Sequence, residues 1–144
     1  AATHFDKGNP KALDPVERVS CRPDFAILIY ATTNLTDEYT HKKTRRGLLG
    51  ENPKPELIEL LSNDKHVTAE TPPTFLVHSW DDKVVPVENS VLFYMSLRRA
   101  KVPAEMHLFR KGGHGGSLEH NDWPRLAERW MRIEHLIPTV PTKK

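Results

Sequence analysis

Three short apolar stretches alternate with helical segments, and this order most constrains how the chain can fold. The stretches are residues 25–30, 74–79 and 104–109, and prolines stand shortly before each of them. A continuous apolar run such as residues 25–30 is typical of a strand buried on both faces of a parallel sheet. In the third stretch apolar and polar residues alternate, which predicts an edge position. The order predicts an α/β fold: a parallel sheet of about three strands with flanking helices.

Three segments carry the helical pattern. Residues 55–62 begin with Pro55, which suits a first helical turn. Residues 86–101 and 123–136 place apolar side chains at helical spacing. Residues 31–46 are polar without a clear period, so we predict a long excursion over the surface, in which the basic cluster 42–46 is a solvated loop. Residues 47–50 are predicted to form at most a single helical turn.

Composition and charge exclude several classes of protein. The chain has 144 residues, which suffices for one domain with a core, and its net charge is +2 with scattered basic residues. We therefore expect no nucleic-acid partner. No apolar run approaches the ~18 residues of a membrane span, so no membrane association is expected. The single cysteine, Cys21, excludes an internal disulfide, and we expect a buried or unreactive thiol. The compartment cannot be determined from these features.

Two adjacent carboxylates follow the second predicted strand. Asp81 and Asp82 stand four and three residues before the Val85-Pro86 pair that opens the next helix. A carboxylate held just beyond a buried strand can accept a hydrogen bond from a histidine and orient its ring. Alternatively, either aspartate caps the helix that starts near Pro86. The spacing alone leaves both interpretations open.

A histidine between two glycine pairs follows the third predicted strand, in Gly112-Gly-His-Gly-Gly. The glycines permit positive φ angles and leave room for a substrate, and a histidine there can move protons. The alternative is a surface histidine in a flexible loop. In parallel sheets ligands gather beyond the carboxyl ends of the strands, where Asp81, Asp82 and His114 all fall. The pattern therefore favours an Asp–His pair.

Other candidate residues give weaker signals. His114 and His120 lie six apart, and the sequence contains neither Cys-x-x-Cys nor His-x-x-x-His, so neither a metal nor another cofactor is expected. His78 is predicted to be a core or near-surface histidine, and Trp80 either lines a pocket or packs in its loop. A serine nucleophile of this architecture needs a Gly-x-Ser-x-Gly turn. None of the serines stands in that context: Ser20, Ser62, Ser79, Ser90, Ser96 and Ser117.

Taken together, these stretches resemble the C-terminal half of α/β-hydrolases. The resemblance spans nearly the whole chain and is sharpest in Asp81-Asp-Lys-Val-Val-Pro and in Gly112-Gly-His-Gly-Gly. The nearest branch is the small carbohydrate-esterase group, which is acetyl-xylan-esterase-like and related to the prolyl oligopeptidase catalytic domain. The chain departs from the family's Tyr-Pro after the first strand, because Ala31 follows Tyr30.

The resemblance implies a Ser-His-Asp acyl-transfer mechanism on a small ester or an acylated sugar, without a cofactor. It assigns the triad acid to Asp82, because Val85-Pro86 follows at the family spacing, and the triad histidine to His114. The family's serine lies in a stretch that would run directly into Ala1. We therefore expect residues 1–144 to be the C-terminal part of a hydrolase domain, with little activity alone.

Two other interpretations stay open. The chain is a non-catalytic truncated fragment that oligomerises to cover an exposed strand edge or acts only as a binding or scaffold piece, whereas pairing with an N-terminal fragment would complete the hydrolase. Alternatively, it is a metal- or ligand-binding module that uses its eight histidines.

Overall fold

A computed structural model describes residues 1–36, 39–115 and 122–138. Its centre is a parallel sheet of three strands in the order β1-β2-β3. The strands are β1 (Ala26–Ile29), β2 (Thr74–Ser79) and β3 (Ala104–Phe109). The predicted α/β fold class is therefore confirmed. Because the strands are parallel, their carboxyl ends lie at the same edge of the sheet.

Helices connect and cover the strands. They are α1 (Lys42–Leu49), α2 (Pro55–Leu60), α3 (Glu88–Arg99) and α4 (Trp123–Ile133), with short 3-10 turns at Val16–Arg18 and Asn63–Lys65. The helices predicted near residues 55–62, 86–101 and 123–136 are thus present, with ends that differ by a few residues. Among the described residues, no helix is both long enough and apolar enough to cross a membrane.

The core lies on both faces of β2, because successive side chains of a strand point to opposite faces. Phe75 and Val77 pack with Trp130 of α4 on one face. Leu76 packs with Leu97 of α3 on the other face. All six residues of β2 are buried. The middle strand is therefore the most buried strand of the sheet, and it anchors the start of the loop that leaves its carboxyl end.

The two outer strands are less buried than β2. All four residues of β1 are only partly buried, so the prediction of a strand buried on both faces is wrong. The reason is that β1 pairs with β2 along one side, and within the described ranges no strand pairs along its other side. The predicted edge position of β3 is confirmed, since β3 pairs with β2 alone in the described sheet.

The basic cluster 42–46 is helical, which corrects the prediction of a solvated loop. These residues form most of α1, none of whose residues is buried. Lysine and arginine have high helix propensity, and the two partly buried residues of α1, Arg45 and Leu49, are too few to give the sequence an apolar period. The turn predicted at residues 47–50 is the end of α1. Gly50 closes it with φ of 83°, and its amide donates to the Arg46 carbonyl at 2.8 Å.

Cys21 is exposed, so the buried alternative for its thiol is wrong, and the unreactive alternative stays a prediction. The residue lies in the irregular segment before β1 and not in a core element. Its Sγ atom is 3.3 Å from Oδ2 of Asp6.

Candidate active site

Each strand is followed by a residue that contributes to one site at the carboxyl edge of the sheet. Tyr30 comes directly after β1, Asp81 and Asp82 follow β2, and His114 lies in the loop after β3. The pairing continues briefly beyond the strands, since the Trp80 amide donates to the Phe109 carbonyl at 2.7 Å. This edge is where parallel α/β sheets place their ligands.

The loop that follows β2 fixes the Asp82 carboxylate. Oδ1 of Asp82 accepts hydrogen bonds from the amides of Val84 at 2.8 Å and Val85 at 3.0 Å. This arrangement is an Asx-type turn, in which an aspartate satisfies its own backbone. Helix α3 begins later, at Glu88, and has no side-chain cap. The helix-cap interpretation of the two aspartates is therefore wrong.

Asp82 and His114 are in contact. Oδ2 of Asp82 lies 2.9 Å from Nδ1 of His114, and the Asp82 side chain is fully buried while that of His114 is 39% exposed. Because an ionised carboxylate only accepts hydrogen bonds, Nδ1 carries the hydrogen. In the neutral ring the lone pair then sits on Nε2. That is the tautomer a histidine needs in order to act as a general base through Nε2.

Asp81 holds the loop that carries His114. Its Oδ1 atom accepts a hydrogen bond from the Gly113 amide at 2.9 Å. Gly113 and Gly115 have φ angles of 54° and 86°, a region that glycine adopts without steric cost. The two adjacent acids therefore have different partners. Asp81 holds the backbone of the loop, and Asp82 holds the histidine ring. Sequence reasoning treated Asp81 as a neighbour of Asp82 and missed this role.

Tyr30 packs against both histidines of the site. Its ring centroid is 5.8 Å from that of His78 and 5.6 Å from that of His114. Tyr30 is buried and has φ of 49°, a conformation that costs free energy in a bulky residue. The position of Tyr30 at the end of a predicted strand is the one signal in the sequence that points to this contact.

His78 lies in the core, as predicted, but its polar contacts were not foreseen. Its Nε2 atom is 3.2 Å from Oδ2 of Asp82 and 3.0 Å from the Val85 carbonyl oxygen. Its Nδ1 atom is 2.8 Å from Oγ of Ser90 on α3. Burial lowers the pKa of His78, against smaller opposing effects from Val85 and Asp82, so the ring is neutral at pH 7.

The Asp82 carboxylate is ionised at neutral pH. Burial by itself raises its pKa, because a desolvated carboxylate is less stable. The hydrogen bonds from His114, Val85 and Val84 lower the pKa by more, and the net result is a pKa below the usual value. Asp82 is therefore available as the negative partner of an imidazolium.

This depressed pKa predicts how stability depends on pH. Asp82 stabilises the fold above its unfolded pKa of about 3.9, and this stabilisation is lost as the pH falls through the lower folded pKa. We expect the difference in free energy of unfolding between the native chain and Asp82→Asn to shrink between pH 5 and pH 3. Urea unfolding at several pH values measures it. Asp6, whose pKa is lowered by its Gly8 and Cys21 contacts, is present in both proteins and cancels in the difference. A constant difference would contradict the assignment.

A small cavity borders the acid. Its volume is about 190 Å³, and its lining includes Trp80, Asp82, Pro86 and Glu88. The Trp80 side chain is 70% exposed, so the pocket interpretation of this residue fits better than packing within its loop. Within residues 1–36, 39–115 and 122–138, no group of three or more His, Cys, Asp or Glu residues is arranged to hold a metal ion. His120 lies outside the described residues.

No hydroxyl group in the described part of the chain hydrogen-bonds to the His114 ring, whose contacts there are with Asp82 and Tyr30. Ser20 and Ser62 donate to backbone carbonyls far from the site, and Ser90 contacts His78. Ser117 lies outside the described residues. The described site thus combines a buried acid with a partly exposed histidine at the carboxyl edge of a parallel sheet, as in α/β-hydrolases.

Comparison with known proteins gives the family. The model of the prolyl oligopeptidase family (Peptidase_S9) matches residues 24–133, which is more than half of the chain. The chain therefore belongs to the prolyl oligopeptidase family. The match includes all three strands, Asp82 and His114.

Relatives of known name are carbohydrate-active hydrolases. The chain is 40% identical over 125 residues to Endo-1,4-beta-xylanase B of Butyrivibrio fibrisolvens, and 31% identical over 128 residues to Acetylxylan esterase of Xylanibacter ruminicola. Each match covers 85% of this chain. It is also similar to the crystal structure of an acetyl ester-xyloside bifunctional hydrolase from Caldicellulosiruptor lactoaceticus, with 46% identity and a TM-score of 0.90 over 95% of this chain.

The chain spans a limited share of each relative. It covers 19% of the Butyrivibrio protein, 26% of the Xylanibacter protein and 52% of the Caldicellulosiruptor chain. The likeness extends to further α/β-hydrolase structures. These findings support the resemblance to acetyl-xylan-esterase-like α/β-hydrolases.

Proposed function

We propose that this chain supplies the acid and the base of a carboxylic ester hydrolase of the carbohydrate-esterase type. The observation that carries the proposal is the 2.9 Å contact between the buried Asp82 carboxylate and His114, at the carboxyl edge of the sheet. The substrate class follows from the relatives, of which one is named an acetylxylan esterase and another an acetyl ester-xyloside hydrolase. The substrate is thus an acylated sugar or another small ester.

In this proposal His114 is the general base and acid of acyl transfer. Its Nε2 atom takes the proton from a serine hydroxyl as that oxygen attacks the ester carbonyl, and later gives the proton to the leaving alcohol. Asp82 orients the ring through Nδ1 and stabilises the imidazolium that forms. The serine stands in a Gly-x-Ser-x-Gly turn, which this sequence does not contain, so we place the nucleophile in a segment beyond residues 1–144.

The chain by itself is then expected to hydrolyse p-nitrophenyl acetate no faster than its His114→Ala variant. An acid and a base without a held nucleophile lack the group that forms the acyl intermediate. Absorbance of the released nitrophenolate measures the rate for both proteins at equal concentration. Robust turnover that His114→Ala abolishes would contradict this prediction and would mean that the chain contains its own nucleophile.

A hybrid protein tests the proposed function itself. In this hybrid, the present chain replaces the matching 52% of the Caldicellulosiruptor chain, whose backbone superposes with a TM-score of 0.90. We expect the hybrid to release acetate from acetylated xylose, and the remaining part of the relative alone to release none. A folded hybrid, as judged by circular dichroism, that is inactive on acetyl esters would refute the proposal.

A second candidate function is non-catalytic association through the β1 edge. Its support is that Ala26–Ile29 is apolar and only partly buried, and that among the described residues no strand pairs with the side of β1 opposite β2. An open edge of this kind pairs readily with another strand. The partner is then a second copy of the chain. Light scattering decides between a 16.5 kDa monomer and a larger assembly.

A further inference from the structure

Two histidines contact the same oxygen of Asp82. Oδ2 lies 2.9 Å from Nδ1 of His114 and 3.2 Å from Nε2 of His78. The other oxygen, Oδ1, accepts the amides of Val84 and Val85. The orientation of the carboxylate is therefore determined by contacts on both of its oxygens. The acyl-transfer scheme uses His114 and leaves His78 without a role.

The neighbours of His78 determine where its hydrogen lies. Nε2 is 3.0 Å from the Val85 carbonyl oxygen and also faces the Asp82 carboxylate, and both groups can only accept. Nε2 therefore carries the hydrogen, which it donates to the Val85 carbonyl oxygen, and Oδ2 of Asp82 lies close to the same N–H at 3.2 Å. Nδ1 lies 2.8 Å from the Ser90 hydroxyl, which donates to it when the ring is neutral. The side chain is fully buried, which disfavours a second hydrogen and a positive charge.

A neutral His78 affects the Asp82 carboxylate differently from a positively charged His78. A positively charged His78 would compete with the His114 imidazolium for the same carboxylate oxygen, because like charges near one group oppose each other. A neutral N–H orients Oδ2 and leaves the full negative charge of Asp82 to His114. The Tyr30 ring, directly after β1, lies nearly perpendicular to the His78 ring, and Ser90 faces His78 from α3.

We propose that His78 is a positioning residue: its Nε2–H holds Oδ2 of Asp82 toward His114, and Ser90 and Val85 keep it in the neutral Nε2–H form. The importance of this arrangement for catalysis rests on the proposed function, whereas the arrangement itself does not. It links strand β2, which supplies His78, to the loop after β3, which supplies His114. Both histidines meet at one atom of Asp82.

The form of His78 can be tested in the unaltered chain. Long-range ¹H–¹⁵N correlation spectra of the ¹⁵N-labelled protein report which ring nitrogen carries hydrogen. We expect His78 to be neutral and in the Nε2–H form at pH 7 and above. A charged His78 at pH 7, or a ring with its hydrogen on Nδ1, would overturn the proposal. This measurement needs no variant and no activity.

Two variants separate positioning from a merely structural role. His78→Met keeps a similar length and removes the donor, whereas the amide of His78→Gln can still donate near the former Nε2. The readout is the ¹³C titration of the Asp82 carboxyl group. We expect the midpoint to rise in His78→Met, because the carboxylate loses a donor, and to return toward the native value in His78→Gln.

Thr74→Val is the matched control. Thr74 is a fully buried residue of the same strand, and its hydroxyl donates to the Pro72 carbonyl, away from Asp82. We expect this variant to lower stability and to leave the Asp82 titration unchanged. If His78→Met likewise lowers only the stability, His78 is a core residue without a positioning role. None of these readouts depends on ester hydrolysis. An inactive hybrid would therefore refute the proposed function and leave the test of the His78 positioning role unaffected.

Discussion

Alanine at position 114 is expected to lower kcat of the hybrid for acetyl ester hydrolysis by about 10⁶-fold, the size of the loss when a triad histidine is removed from a serine hydrolase. The reason is that His114 is the described group that can carry the proton between nucleophile and leaving alcohol, through the nitrogen opposite its contact with Asp82. Initial rates with acetylated xylose at saturating substrate measure kcat directly.

His107→Ala is the matched control for this experiment. His107 lies on β3, is partly buried and contacts Glu105 through Nε2 at 2.7 Å. It shares the residue type and the strand that leads to the His114 loop, but it has no contact with Asp82. We expect its kcat to stay within a few-fold of the hybrid's. Similar losses at both positions, or a loss below tenfold at His114, would contradict the assigned role.

Asp82→Asn is expected to lower kcat of the hybrid by about 10⁴-fold while the protein stays folded. The amide oxygen can still accept from Val84 and Val85, so the loop is retained. The NH₂ group then replaces Oδ2 and points its hydrogens at His114. It forces the hydrogen of the neutral His114 ring onto Nε2, the nitrogen that has to accept the proton, and it also faces the N–H of His78.

Asp81→Asn distinguishes the two adjacent acids. The Asp81 carboxylate accepts from the Gly113 amide, and the oxygen of an asparagine can accept the same hydrogen bond. We therefore expect a loss of no more than about tenfold, since the backbone of the His114 loop keeps its support. A larger loss for Asp81→Asn than for Asp82→Asn would reverse the roles that we assign to the two residues.

Local patterns in the sequence were sufficient to predict the sheet, helices α2, α3 and α4, and an Asp–His pair, and the family resemblance selected Asp82 from the two aspartates. They suffice because a continuous apolar run and a glycine-flanked histidine are recognisable without knowledge of their neighbours. Helix α1 was missed because its first five residues are polar and its two leucines, Leu48 and Leu49, are adjacent, so that they show no apolar period. The partial exposure of β1 depends on which strands lie beside it, which no local pattern records.

The contacts of Tyr30 and His78 could not be predicted for a related reason. Tyr30 meets His78 and His114 only because three parallel strands bring their carboxyl ends to one edge. His78 reaches Asp82 through the turn that follows β2, and its side chain looked like that of an ordinary core residue in a strand of apolar neighbours. Such contacts become visible once the register of the sheet is known.

The residues of the site come from the ends of three different strands. This origin also determines when the site can form during folding. Asp82 and His114 are 32 residues apart, and a parallel strand pair closes only after the intervening helix has formed a crossover. Contacts of this kind have high sequence separation and form slowly compared with local turns. The Asx-type turn of Asp82 is local and can form early, whereas the His114 contact has to wait for β3 to dock. Formation of the acid–histidine pair therefore requires that β3 has docked on β2.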